Sequence, residues 1–120
     1  MPRYEIDFYI LPNGRKPAQE YLDDLSDEEM VQVDRRITRL ENLGPDITKT
    51  NSGEYIGNDI FVLRTRSGRI RLRLFCWRDG GMFILSHGIK KKSDKIPTAE
   101  IDKAIEYRND YFAQKEGGKR

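Results

Sequence analysis

The segment VLRTRSGRIRLRLF, residues 62–75, constrains the fold of this chain more than any other part of it. Five arginines occupy alternate positions on either side of Ser67-Gly68, and the residues between them are mainly aliphatic. A period of two residues is typical of β-strands, because successive side chains point to opposite faces of a sheet. The segment therefore predicts a hairpin with one apolar face and one arginine face. The predicted members of the arginine face are Arg64, Arg66, Arg69, Arg71 and Arg73.

The arginine face carries a cost that the fold alone does not explain. If Ser67-Gly68 forms a two-residue turn, Arg66 lies opposite Arg69 and Arg64 lies opposite Arg71. Like charges in opposed positions destabilise a sheet by about 0.2–1 kcal/mol per pair. Acidic side chains of the protein or an external anion must then neutralise this face. An ordinary solvated sheet surface is the simpler alternative, but five arginines together favour phosphate binding, because a guanidinium grips two phosphate oxygens at once.

The charge of the chain is segregated along the sequence. The net charge is only +2, yet residues 60–95 carry ten basic and two acidic side chains, and the remainder carries twelve basic and eighteen acidic ones. The basic residues that follow the last predicted strand are Lys90, Lys91, Lys92 and Lys95. A lysine run alone is usually a solvated loop. Next to the arginine hairpin, it predicts an extension of the same polyanion-binding cleft.

The remaining periodicities predict one α+β domain over residues 1–120. Residues 4–10 alternate as an N-terminal strand, and residues 15–25 and 26–43 have the spacing of two helices. Residues 45–59 are predicted as a loop. Three strands within residues 60–89 form an antiparallel meander, and a C-terminal helix spans residues 98–112, with 113–120 as a frayed tail. We expect the helices to pack on one side of the sheet.

Several classes of protein are disfavoured by what the sequence lacks. The single cysteine, Cys76, cannot form an internal disulfide, and its apolar neighbours indicate a buried, inert thiol. No run approaches the roughly 18 apolar residues of a membrane helix, and the N-terminus lacks the apolar core of a secretion signal. We therefore expect a cytoplasmic protein without a membrane partner. Metal-ligand spacings and phosphate-binding glycine loops are missing, so we expect no metal and no cofactor.

His87 is the only histidine of the chain. A two-residue turn before the last strand would place it with Phe83 and Leu85, opposite the arginines. A three-residue turn over residues 79–81 would bring it onto the arginine face. A lone strand histidine is more often structural, but facing the arginines it could act as a general acid or base.

Three segments resemble the phage-derived HigB-like branch of the RelE toxin superfamily. They are LR at 63–64, RLFCW at 73–77 and ILSHGIKKKSDKIPTAEIDKA at 84–104. The resemblance covers nearly the whole chain and implies a RelE-like fold. It also implies a type II toxin that cleaves mRNA in the ribosomal A site without metal. In such an enzyme the ribose 2′-hydroxyl attacks the adjacent phosphate, leaving a cyclic phosphate and a 5′-hydroxyl.

The resemblance also assigns roles to individual positions. Arg64 and Arg73 would clamp the scissile phosphate. Lys90 and Lys92 would stabilise the transition state or protonate the leaving oxygen, and His87 matches the family histidine. The residues that would hold the mRNA or ribosomal RNA backbone are Arg66, Arg69, Arg71, Lys91 and Lys95.

One position departs from the superfamily. RelE carries a tyrosine near the start of its last segment, where this chain has Lys95-Ile96-Pro97, and this leaves the general base open. A lysine whose pKa is lowered by neighbouring cations is one candidate.

The implied partners are a cognate helix-turn-helix antitoxin, the ribosome and mRNA, with operator DNA bound only by the toxin–antitoxin complex. Three other functions stay open on the sequence: a ParE-like toxin that poisons gyrase on the same fold, a non-catalytic RNA-binding module, and a domain whose basic face meets only an acidic protein.

Overall fold

A computed structural model of the chain describes residues 2–117. The strands are β1 (Glu5–Phe8), β2 (Gly53–Tyr55), β3 (Ile60–Ser67), β4 (Ile70–Asp79) and β5 (Met82–Lys91). The helices are α1 (Pro17–Asp23), α2 (Asp27–Leu43) and α3 (Thr98–Glu116), and a 3-10 helix spans Gly44–Lys49. This order confirms the predicted α+β fold with its N-terminal strand, two helices, antiparallel meander and C-terminal helix. No helix within residues 2–117 combines the length and the apolar character needed to cross a bilayer.

The strands form one five-stranded sheet in the order β1-β5-β4-β3-β2. β3, β4 and β5 make the antiparallel meander, β1 joins β5 in parallel, and β2 extends the other edge. The loop predicted for residues 45–59 was wrong in part, because this segment contains the 3-10 helix and β2. Fully buried Ile47 anchors it, and Gly53 lies so close that an added Cβ would stand 2.7 Å from Ile47 Cγ2.

The helices lie on both faces of the sheet, and the expectation that they share one side was wrong. Helices α1 and α2 cover the face that carries Leu72, Leu74 and Cys76. Helix α3 covers the opposite face, where Phe75 and Trp77 are buried. Because residues 72–77 of β4 are buried without alternation, both faces of that strand need a covering layer. Cys76 lies in the α2-side core, where burial raises the pKa of its thiol.

Helix α2 begins at a capping box. The Ser26 hydroxyl accepts a hydrogen bond from the Glu29 amide at 3.2 Å, and the Glu29 carboxylate accepts one from the Ser26 amide at 2.9 Å. The helix ends at Gly44, whose φ of +57° suits glycine, and an added Cβ there would lie 2.2 Å from the Tyr4 ring. Both ends of α2 are therefore defined by specific contacts.

Helix α3 continues to Glu116, beyond the end at residue 112 that the sequence predicts. Its last turns are held by Asp79, because Tyr111 donates a hydrogen bond to that carboxylate at 2.7 Å and Lys115 forms an ion pair with it. Residues 113–116, assigned to a frayed tail by the sequence, are thus helical, whereas residues 118–120 of that tail lie outside the described residues.

Candidate nucleic-acid interface

The arginine hairpin forms with its turn one residue later than predicted. Ser67 pairs with Ile70, so the two-residue turn is Gly68-Arg69, and Gly68 has the positive φ (+60°) that glycine adopts without strain. The cross-strand arginine pairs become Arg64–Arg73 and Arg66–Arg71. Arg69 lies in the turn instead of opposite Arg66, and this pairing corrects the predicted one. The two opposed pairs of like charge persist in the corrected register.

The arginine face continues the surface that α3 covers. On β3 and β4, the apolar cluster under α3 ends at Val62 and Phe75, and the next residues on the same face are Arg64 and Arg73. The chain therefore places an apolar half and a cationic half on one side of the same two strands.

An open groove of about 340 Å³ lies at the cationic half, and we call it the arginine groove. Its lining residues are Gln32, Arg36, Asn51, Arg64, Thr65, Arg66, Arg71, Arg73 and Asp94. Five arginines and one carboxylate give this lining a formal charge of +4. The groove is open to solvent and has the positive charge that a phosphodiester strand needs.

Arg73 forms the floor of the arginine groove and is only 4% exposed. Its Nη1 donates to the backbone carbonyls of Thr65 and Leu72, both at 3.1 Å. Burial lowers the pKa of Arg73, and neighbouring Arg64 lowers it further, although an arginine stays protonated in any neutral solution. These contacts hold the guanidinium in one position before any ligand arrives.

Acidic side chains neutralise part of this charge. The Asp94 Oδ1 accepts hydrogen bonds from Arg71 Nε at 2.5 Å and from Arg73 Nη2 at 3.3 Å. The bond from Arg71 is the main reason that the pKa of Asp94 is lowered. Glu54 lies 3.9 Å from Arg64. Among the described residues, Arg36, Arg66 and Arg69 have no such ion pair, so the positive excess persists.

The lysine run divides between the two faces of the sheet. Lys91 lies opposite Arg71 and shares its face, whereas Lys90 lies opposite Leu72 on the α2 side. The Lys90 Nζ is 2.8 Å from Glu29 at the start of α2, and this contact lowers the pKa of that carboxyl. The structure therefore does not bring Lys90 to the arginine groove.

Lys92 and Lys95 follow the end of β5. The Lys92 carbonyl accepts a hydrogen bond from Arg71 Nη1 at 3.2 Å. Lys92 also lines a second hollow together with Arg66 and Arg69, on the other side of the hairpin tip. Lys95 is exposed in the segment that leads to α3. The basic surface therefore continues around the hairpin from the arginine groove.

His87 reaches the face of the arginines by a route that the sequence did not indicate. The β4–β5 turn is the two-residue Gly80-Gly81, which alone would leave His87 on the opposite face. A β-bulge intervenes: Cys76 pairs with Leu85 and Phe75 pairs with His87, so that Ser86 is the extra residue. The placement expected for a two-residue turn was therefore wrong.

His87 is nevertheless enclosed. Its ring stacks on Phe75 at a centroid distance of 4.6 Å and is 5% exposed. Nε2 lies 3.1 Å from a Glu100 oxygen and Nδ1 lies 2.9 Å from the Ser86 hydroxyl. Burial lowers the pKa of His87 to about 4, so the ring is neutral at pH 7. Both ring nitrogens have partners, and His87 does not line the arginine groove.

The packing of Tyr21 explains why a glycine, Gly88, follows this histidine. An added Cβ at this position would stand 2.2 Å from the Tyr21 ring, which lies flat against the strand. The Tyr21 hydroxyl then donates to the Ile89 carbonyl at 3.2 Å, at an edge of β5 beyond the reach of β1. The His-Gly pair is thus tied to the packing of α1 on β5.

Sequence reasoning missed Arg36, Gln32 and Asn51, which line the arginine groove from the side of α2 and the segment before β2. A signal for Arg36 existed. It stands three residues after Val33 and four before Leu40, both of which are buried, so it lies in the core-facing stripe of the helix. An arginine in such a stripe needs a polar partner for its guanidinium at the boundary of the core.

The site and the fold together define a small α+β protein with a cationic groove at one end of its sheet. The chain matches the family model described as phage derived protein Gp49-like (DUF891) over residues 20–109, and it belongs to that family. The matched segment contains the whole hairpin, and the family is phage-derived and toxin-like. No curated protein matches the chain.

Proposed function

We propose that the protein is the toxin of a type II toxin–antitoxin system, of the HigB-like branch of the RelE superfamily, and that it cleaves mRNA on the ribosome. The observation that supports this most strongly is the arginine groove. Two opposed pairs of arginines hold like charges together at a cost to the sheet, and a buried guanidinium is fixed at the floor. A bound phosphodiester would offset that cost.

The reaction that suits the groove needs no metal. The 2′-oxygen attacks the phosphorus and gives its proton to a base, the bond from phosphorus to the 5′-oxygen breaks, and that oxygen takes up a proton. The products are a 2′,3′-cyclic phosphate and a 5′-hydroxyl. Negative charge grows on the phosphorus oxygens in between, and Arg64 and Arg73 would stabilise it as fixed donors.

In this proposal, the roles of the lysines and the histidine follow from their positions in the structure. Lys92, beside Arg66 and Arg71, would protonate the leaving oxygen or stabilise the transition state. Lys90 and His87 would have structural roles, since Lys90 pairs with Glu29 and both nitrogens of the buried His87 ring are bonded. The residues that would hold the nucleic-acid backbone are Arg66, Arg69, Arg71, Lys91 and Lys95.

A toxin of this kind would act in the cytoplasm and would be neutralised by a cognate helix-turn-helix antitoxin. That partner is proposed from the toxin-like family together with the resemblance of the sequence to the HigB-like branch. Operator DNA would be bound only by the complex of the two proteins.

The test is induction in growing bacteria, with translation and DNA replication followed in parallel and RNA 5′ ends mapped. We expect translation to stop first and cleaved mRNAs to carry 5′-hydroxyl ends. Arg73→Gln should lower cleavage by about 10²–10³-fold, the typical loss for one preorganised oxyanion donor. Arg78→Gln is the matched control, because Arg78 is exposed at the far end of the same strand.

Other outcomes would contradict the proposal. Replication that stops while translation continues would indicate a gyrase poison. Ribosome binding without cleavage, lowered in affinity by Arg73→Gln, would indicate a non-catalytic RNA-binding protein. Equal activity of the two variants would remove the arginine groove from the mechanism.

A further inference from the structure

Arg36 holds an unusual position at the sheet edge. Strand β2 pairs with β3 only as far as Leu63, and the Arg64 amide bonds to the Ser52 carbonyl beyond it. The Arg64 carbonyl faces the same edge and accepts a hydrogen bond from Arg36 Nε at 2.9 Å. A helix side chain thus takes the place of a strand partner, and one side of its guanidinium is fixed.

The rest of that guanidinium is directed to the arginine groove. The side chain also borders a small apolar hollow together with Val33, Leu63 and Leu72. Arg36 lines the groove together with Arg64 and Arg73, and its Nη atoms have no hydrogen-bond partner among the described residues. Because only Nε is used by the protein, the fork formed by Nη1 and Nη2 is free for two oxygens of one ligand.

Arg36 also has no counter-ion in the part of the chain that the structure describes. Burial lowers its pKa, and Arg39 and Arg35 lower it further, with no acidic side chain acting in the opposite direction. Arg73 differs in this respect, since Asp94 compensates part of its burial. A half-buried cation without a carboxylate is costly, and an anion from outside would offset that cost.

We propose that Arg36 is a phosphate-binding residue, which grips a phosphodiester of single-stranded RNA from the α2 side while Arg64 and Arg73 hold it from the sheet. The proposal rests on the proposed function for the identity of the ligand. Arg36 adds a second side to the site, so that the RNA backbone is held between helix α2 and the β3–β4 hairpin. Helix α2 would then position the substrate as well as support the core.

The chain offers matched controls in Arg35 and Arg39. Both are exposed arginines of α2, and each lies within four residues of Arg36. Binding of a fluorescent 2′-O-methyl RNA decamer is measured at several salt concentrations for the wild type and for Arg36→Gln, Arg35→Gln and Arg39→Gln. The 2′-O-methyl group prevents attack by the 2′-oxygen, so binding is measured without cleavage.

We expect Arg36→Gln to weaken binding at least about tenfold and to lower the salt slope by about 0.7, the value for one lost phosphate contact with a single strand. Arg35→Gln and Arg39→Gln should change affinity less than about threefold, as exposed charges do. Arg36→Lys keeps the charge and the stem but not the fork, so its salt slope should stay near the wild-type value while affinity falls.

If Arg36→Gln does not fold, the Arg36 Nε–H resonance of the wild-type protein is followed by NMR during titration with the same decamer, and it should shift at saturation. Binding by Arg36→Gln equal to that of its two controls, or an Arg36 resonance that does not move, would overturn the inference. If the decamer binds through Arg36 and no mRNA is cleaved on ribosomes, the enzyme proposal fails and the inference stands.

Discussion

The two halves of one sheet face differ in how their side chains are satisfied. In the half under α3, Phe75, Trp77 and His87 are buried, and both nitrogens of the His87 ring have partners within the protein. In the half toward the hairpin tip, arginines face each other across β3 and β4, and within residues 2–117 only Glu54 and Asp94 form ion pairs with them. The same two strands run through both halves, so strand geometry does not cause the difference.

The comparison shows how coverage by α3 affects the polar and charged side chains of the sheet. Where α3 excludes water, the His87 ring is paired inside the chain and kept neutral, as its low pKa indicates, although the buried Trp77 Nε1 has no hydrogen-bond partner among the described residues. In the half that α3 does not cover, the opposed arginines stay charged, and their repulsion destabilises the sheet. We infer that the first half is selected for stability and the second for a ligand, and this division can be tested from both sides.

The largest expected effect belongs to the covered half. Phe75→Ala removes a fully buried ring on which His87 stacks, and the free energy of unfolding should fall by about 3–5 kcal/mol. Urea denaturation measures it. Val31→Ala, at an exposed position of α2, is the control and should change stability by less than about 0.5 kcal/mol. A loss below about 1 kcal/mol for Phe75→Ala would mean that this half is not the core.

A second effect concerns pH. The pKa of His87 is about 4 in the folded protein and 6.5 without burial, so between these values the unfolded chain binds a proton that the folded protein excludes. Stability from this group is fully present above about pH 6.5. It is lost as pH falls toward 4, by up to about 1.4 kcal/mol per pH unit.

His87→Gln should lower stability at pH 7 by about 1–3 kcal/mol, because its buried partners lose a bond, and should flatten the decline between pH 6.5 and 4. Denaturant midpoints across this range measure both effects. A variant with the wild-type pH profile would show that His87 is not the titrating group. Normal cleavage by the folded variant would agree with a structural role.

The cationic half should respond in the opposite direction. Arg66→Gln removes one of two cross-strand repulsions and should raise the free energy of unfolding by about 0.2–1 kcal/mol. The same change should weaken RNA binding and lower the salt slope by about 0.7. Thermal melting and binding titrations measure the two effects, with Arg78→Gln as control. A loss of both stability and affinity would contradict the division between the halves.

The smallest expected effect is a gain. The Asp94 carboxylate bonds Arg71 and Arg73 where an anion would lie, so Asp94→Asn should tighten RNA binding by about two- to fivefold, equivalent to one exposed ion pair. Asp102→Asn, an exposed change on α3, controls for net charge. Weaker binding by Asp94→Asn would indicate that the carboxylate orders the arginines for the ligand.

The order of elements and the arginine face were predictable because both depend on local periodicity. The hairpin turn, β2 and the placement of α3 were not, since each depends on contacts distant in sequence, such as Ile47 against Gly53. Arg36 was missed because its partner, the Arg64 carbonyl, lies 28 residues further along the chain.

His87 and Lys90 illustrate a limit of reading residues one at a time. They are separated by three positions in one strand, so they point to opposite faces, and an extended strand cannot deliver both to the arginines. Assigning both to the cleft therefore required an irregularity between them. The actual irregularity lies at Ser86, before both, and it brings His87 to the arginine side while it turns Lys90 away.

The bulge at Ser86 therefore determines which face of the sheet each later residue of β5 occupies. A relative of the same length whose strand paired without this bulge would place Lys90 opposite Arg71 and Lys91 on the helix α2 side, with neither lysine mutated, whereas a relative that lacks only Ser86 would keep the present placement. Column-by-column comparison of such relatives would equate lysines that occupy opposite sides of the molecule. The presence of the bulge must therefore be established before the basic residues of related chains are matched.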